Sequence, residues 1–164
     1  MSLFDHGSVT NGVKLSAAFP FEGTNGARIP PEALFLRSVM EVDQICEHVG
    51  EERLRAMVAA FYRQVREDDV IGPLYPQGDW EGAEKRLADF IVYRFGGPPT
   101  YLEERGHPRL RMRHMPFSIG MAERDRWLDL MGKAMRETEI PADAAPLIGA
   151  FFAQVADMMR NREG

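Results

Sequence analysis

Leu54, Met57, Val58, Phe61, Tyr62 and Val65 recur at i, i+3, i+4, i+7, i+8 and i+11, the spacing of one face of an α-helix. The same period returns in Trp80, Ala83, Leu87, Phe90, Ile91 and Arg94, and in Trp127, Leu128, Met131, Ala134 and Met135. After Pro141 it is found once more, in Ile148, Phe151, Phe152, Val155 and Met159. The pattern predicts about four main amphipathic helices plus short pieces, and no segment alternates with the two-residue period of a strand. Breakers separate these runs. Gly72, Pro73, Pro76 and Gly78 fill the stretch from Asp68 to Asp79, and Asp79 is placed to cap a helix that starts near Trp80. Gly96, Gly97, Pro98 and Pro99 stop that helix. Residues 98–120 read as a Pro- and Arg-rich connection with room for one short helix, from about Arg109 to His114, because Pro108 can open a helix and Pro116 ends one.

Residues 1–40 differ in kind. They are rich in glycine, contain Pro20, Pro30 and Pro31, and carry no sustained period, so they are expected to form an N-terminal extension ahead of an all-α domain at 41–164. Phe19, Phe21, Phe35 and Leu36 supply apolar anchors for an arm packed on the surface.

A chain of 164 residues makes one compact domain that buries about two-thirds of its unfolded surface, enough to enclose a ligand. The net charge of -5 and pI near 5.4 speak against a general nucleic-acid binder, which carries a basic face. No apolar run approaches the roughly 18 residues needed to cross a bilayer, and the N-terminus lacks the basic-then-apolar order of a signal peptide. A cytoplasmic protein with no membrane partner is expected. Cys46 is the sole cysteine, which excludes an intrachain disulfide and a thiolate metal cluster and suits a reducing compartment.

A helical fold class assigns no chemistry by itself. Of the four histidines, His6 lies in the extension, His48 near a helix start and His107 in Gly-His-Pro, while His114 follows a basic run and adjoins an apolar turn. A neutral imidazole is a good ligand for haem iron, and a single axial histidine leaves the opposite position for a gas. Taken alone, His114 is more readily a surface or satisfied core histidine. Tyrosines and tryptophans on helix faces are, singly, more often core packing than ligand contacts.

The wider context carries more. The segment GHPRLRMRHMPF, from Gly106 to Phe117, is preceded by GGPPTY at Gly96 to Tyr101. With FY at Phe61 and Tyr62, LYP at Leu74 to Pro76 and ERDRWL at Glu123 to Leu128, it resembles the group II truncated haemoglobins of bacterial type, in their order and intervals, over roughly residues 42–160. The resemblance implies a truncated globin, a two-over-two helical sandwich around a b-type haem (iron protoporphyrin IX), with His114 as the iron ligand. It further implies that Tyr62, Tyr75 and Trp127 form a distal cluster offering two O–H donors and one N–H donor. Ala83 stands where many globins place a distal histidine, and Leu87 borders the ligand. Phe61, Phe90, Tyr101 and Phe117 are expected to contact the porphyrin, and Arg86, Arg111 and Arg113 its propionates, since the planar guanidinium suits carboxylate geometry. Plain core is an equal alternative for Phe61 and Phe90, and a solvated charge for each arginine.

The implied ligands are dioxygen and, beside it, carbon monoxide, nitric oxide or peroxide. Three donors converging on one polar diatomic slow its release, which suits tight oxygen binding, sensing or redox detoxification and not bulk delivery. A peroxidase or a nitric oxide dioxygenase-like enzyme is the alternative, fed by an external electron donor because no reductase motif is visible; a haem-free helical interaction module is a further one. The chain is expected as a monomer or homodimer. Two departures from the family stand out. Val49 and Gly50 replace a pair of adjacent glycines at the first helix corner, leaving its shape open. Arg94 and Phe95 stand where larger aromatics are usual, which predicts a more polar or more open haem edge.

Overall fold

The computed structural model describes residues 40–163; the extension, with His6, Phe19, Phe21, Phe35 and Leu36, lies outside the described residues. After a 3-10 turn at Val42–Gln44 come seven α-helices: α1 (Ile45–Val49), α2 (Glu51–Val65), α3 (Trp80–Arg94), α4 (Thr100–Arg105), α5 (Leu110–His114), α6 (Met121–Glu137) and α7 (Ala145–Met159). A second 3-10 turn, Gly72–Leu74, lies between α2 and α3. No strand occurs among the described residues. α2 packs against both α3 and α6, and α6 against α7, so two long pairs meet through α2 in the expected two-over-two arrangement.

The helical period translates directly into burial. Leu54, Met57, Val58, Phe61 and Val65 of α2 are wholly inside, and Tyr62 is 3% exposed. Each such side chain contributes about 1.5–3 kcal/mol relative to staying in water. α3 starts where the sequence places it: the Asp79 carboxylate accepts the Gly82 N–H at 3.2 Å and pairs with Arg86 at 2.7 Å.

The corners rest on two glycines. At the first, Gly50 alone makes the turn with φ +89°, a region that glycine enters freely, while Val49 completes α1 and is buried. One glycine therefore suffices there. At the end of α3, Gly96 has φ +88° and a Cβ on it would sit 1.6 Å from the Asp43 carbonyl oxygen. That close approach lets the Cys46 N–H donate to the Phe95 carbonyl at 2.8 Å, docking the end of α3 on the first turn of the domain.

Two expectations are corrected. The 98–120 connection holds two helices instead of one, because Pro98 and Pro99 open α4 as well as ending α3. Proline is tolerated at a helix start, where its missing N–H has no partner to lose. The Pro99 carbonyl accepts the Glu103 N–H at 3.1 Å, and Tyr101 anchors α4 at 5% exposure. The last helix, expected after Pro141, begins at Ala145, once the Pro141 carbonyl has closed a turn with the N–H groups of Ala144 and Ala145. Phe95 forms no open edge of a ligand site. It is fully buried, with ring centroids 5.2 Å from Phe151 and 6.2 Å from Phe152, and Arg94 lies over the Phe151 ring at 5.4 Å.

Two buried carboxylates pin the frame. Asp68 accepts N–H groups of Val70 and Ile71 at 3.0 and 2.9 Å and bonds Arg126 of α6 at 2.5 Å. Burial by itself would raise its pKa, but the Ile71 N–H, Arg126 and the Val70 N–H bring it below the usual aspartate range. Asp89 is held by Lys85 at 2.8 Å and Arg55 at 2.9 Å, which likewise outweigh its burial and lower its pKa. No helix among the described residues is long and apolar enough to cross a membrane.

Candidate functional site

A largely apolar cavity of about 370 Å³ opens among α2 to α7. Most of the sequence-predicted site residues line it: Tyr62 from α2; Ala83, Arg86, Leu87 and Phe90 from α3; Tyr101 from α4; Arg113 and His114 from α5; Trp127 from α6; and Tyr75 and Phe117 from the connections. Phe61 and Arg111 are not among the lining residues. Phe61 is fully buried behind the wall, its ring 5.1 Å from Trp127 and 5.6 Å from Tyr62. Arg111 turns to the last helix and donates to the Met158 carbonyl at 3.0 Å.

His114 is the final residue of α5. Its Nδ1 lies 2.7 Å from the Leu110 carbonyl oxygen, one helical turn back. A carbonyl only accepts, so Nδ1 carries a proton, and it is Nε2 that is left to ligate a metal. The Phe117 ring stands edge-on to the imidazole, 6.3 Å between centroids. Among the described residues no group of three or more His, Cys, Asp or Glu side chains converges on a metal position. What the cavity offers is one imidazole within apolar and aromatic walls, which fits a flat macrocycle that brings its own equatorial ligands.

The polar aromatics come from other elements. Tyr62 and Tyr75 meet edge to face at 5.5 Å and 87°, and Tyr75 stacks on Trp80 at 6.0 Å. Trp127 is wedged between Phe61 and Phe152, 5.4 Å from the latter. Burial pushes the Tyr62 phenol far above the usual tyrosine range, helped by Tyr75 and opposed by Arg86. Burial also raises Tyr75, against a smaller opposing contribution from the Trp127 indole N–H. Both phenols therefore stay protonated and able to donate throughout the neutral range.

Charge sits along part of the lining. Arg86 is paired with Asp79, and Arg113 donates to the Pro108 carbonyl at 2.9 Å and the Arg105 carbonyl at 3.4 Å. Arg105, Glu123 and Arg124, not among the residues expected from the sequence, also line the cavity. Arg105 was hidden with α4, the helix masked by its prolines. Glu123 and Arg124 lie four and three residues before Trp127, so the period that selected Trp127 also places them on its face. Glu123 accepts the Gly120 N–H at 2.7 Å and so caps α6.

Residues 44–161 match the family model described as bacterial-like globin. The group 2 truncated hemoglobin YjbI of Bacillus subtilis is 43% identical over 89 residues, which are 54% of this chain and 67% of that protein. Among solved structures, the hemoglobin of the thermophilic phototroph Chloroflexus aurantiacus superimposes with a TM-score of 0.70 at 43% identity, covering 72% of this chain and 98% of that one. A truncated oxygen-avid haemoglobin from Bacillus subtilis gives a TM-score of 0.68 at 33% identity, with 71% and 98% covered.

Proposed function

The chain belongs to the bacterial-like globins and, within them, to the group II truncated haemoglobins, and from that premise we propose that its cavity takes haem b and holds dioxygen tightly. The family implies haem binding and the binding of oxygen and related gases. The observation that carries the finer reading is the convergence, on one cavity, of a histidine whose Nδ1 is tied to a backbone carbonyl and three aromatic side chains with donor groups from other elements. His114 would hold the haem, which would supply an iron able to bind a gas.

The chain's own residues do the rest. His114 is oriented by Leu110, and Phe90, Tyr101 and Phe117 offer flat apolar contact. Arg86, Arg105 and Arg113 are available to the propionates. Tyr62, Tyr75 and Trp127 would donate to a bound polar diatomic, and Ala83 brings no imidazole to compete with that ligand. A donor to a group carrying partial charge is worth about 1.5–3 kcal/mol, enough to slow release tenfold or more; the three share one small ligand and do not add. Retention, sensing or redox work on oxygen, nitric oxide or peroxide suits such a pocket better than delivery. In this reading the protein works in the cytoplasm and takes electrons for any turnover from an external donor.

The test has two steps. Protein made in cells supplied with haem should show an intense Soret band that His114→Ala removes. Stopped-flow dissociation of the oxygenated protein should be slow and become about tenfold faster in Trp127→Phe. A missing Soret band overturns the cofactor assignment, and fast release unaltered by Trp127→Phe overturns the donor account.

A further inference from the structure

α5 has only five residues, too few to hold a helical shape by its own hydrogen bonds, since nucleation alone is unfavourable. Its last residue is His114, the residue proposed to bind iron, whose carbonyl accepts the Phe117 N–H of the following turn at 3.1 Å and keeps a second lone pair for a partner from outside. The chain then runs through Met115 and Pro116, the latter without an N–H to give, to Phe117 and Ile119, both of which line the cavity. Whatever fixes this loop fixes the end of α5.

Asn161, two residues beyond α7, is bonded across the whole of it. Its Oδ1 accepts the Ile119 N–H at 3.0 Å. Its Nδ2 donates to the Phe117 carbonyl at 2.7 Å and to the His114 carbonyl at 3.3 Å. Its backbone N–H donates to the Ile119 carbonyl at 2.9 Å, and that same carbonyl accepts the Arg162 N–H at 3.2 Å. One side chain thus uses an acceptor and two donors on three loop residues 42 to 47 positions away in sequence. Arg111 adds a parallel tie from α5 to the Met158 carbonyl.

We propose that Asn161 is a positioning residue for the iron site: by capping α5 at the His114 carbonyl and bracing residues 117–119, it sets the tilt and tension of the His114 imidazole. This rests on the haem reading above. The nitrogen side of the imidazole is fixed by Leu110 within the helix, whereas the helix end is fixed from the C-terminal tail. Such outer partners of a metal-ligating histidine ordinarily change metal affinity by about 10- to 100-fold when removed.

The experiment is resonance Raman spectroscopy of the ferrous, ligand-free holoprotein, read at the iron–histidine stretching band, together with haem transfer to an excess of a haem-scavenging apoprotein. Asn161→Ala should shift or broaden the band and speed haem loss about tenfold. Asn161→Asp keeps the acceptor for Ile119 but turns a carboxylate oxygen on two carbonyls, and should do the same or more. Bands in both variants that match the parent, even with faster haem loss or a lower melting temperature, overturn the inference and leave Asn161 a staple for stability. Should Asn161→Ala lose helicity by circular dichroism, Asn161→Ser, which keeps one short hydroxyl, carries the same comparison. A parent chain that takes up no haem overturns the proposed function and this inference together; a parent that does, with unaltered variants, overturns this inference alone.

Discussion

Tyr62 and Trp127 stand on helices of 15 and 17 residues, whereas His114 ends a helix of five. The long helices are fixed by continuous apolar faces, and the donors they carry are held by aromatic packing around Phe61 and Phe152. The short helix has no buried residue of its own. It starts from Arg109 in the left-handed region at φ +44°, a conformation that costs about 1–3 kcal/mol outside glycine. It is held by polar ties: Arg113 to the Pro108 carbonyl, Arg111 to the Met158 carbonyl and Asn161 to the His114 carbonyl. One cavity therefore joins a wall held by burial to a wall held by hydrogen bonds. The difference teaches where each kind of substitution should act: truncation of apolar groups on the first wall, and loss of polar partners on the second.

The comparison breaks most readily at Phe61. It is wholly buried and backs both Tyr62 and Trp127, so Phe61→Ala should cost about 3–5 kcal/mol, read as a lower midpoint in urea with the slope unchanged. A loss under about 1 kcal/mol would mean that the long-helix wall does not depend on this packing.

Asp68 is the point at which burial and polar ties meet, since it joins the end of α2 to α6 through Arg126. Asp68→Asn should cost about 1.5–3 kcal/mol at neutral pH, because the bonds from Arg126 and from the Val70 and Ile71 N–H groups go to a charged acceptor. The sign of the pH effect follows from the lowered pKa. A carboxyl whose folded value lies below its unfolded value of about 3.9 stabilises fully above that value and loses the contribution as pH falls through the folded one. Urea midpoints should therefore fall more steeply in the parent than in Asp68→Asn as the pH is lowered from about 4 to about 2. Parallel curves would remove Asp68 from the account.

The same contrast explains what could be read from the sequence. The faces of α2, α3, α6 and α7 were legible because burial imposes a 3.6-residue period, and Asp79 because a cap has a local signature. α4 was not, since Pro98 and Pro99 both end one helix and start another, and nothing local says that they do both. Arg105 went unseen with it. His114 stood out only through the strings around it, because a polar-tied helix of five residues leaves no period to detect. The Asn161 bonds were beyond reach: an asparagine after a helix carries no sign of partners more than 40 residues earlier.

The smallest effect is expected at Met115, directly after the residue proposed to bind iron. It is 60% exposed, and Met112, two residues before His114, is not an anchor either, at 58%. Met115→Ala should change stability by no more than about 0.5 kcal/mol in urea, as for surface positions away from caps and buried networks. The backbone groups that hold this loop belong to His114, Phe117 and Ile119, and none of them is lost in the substitution. A cost of about 1.5 kcal/mol or more, in the range of a buried methylene deletion, would place apolar packing under the His114 wall after all and erase the contrast with the wall of Tyr62 and Trp127.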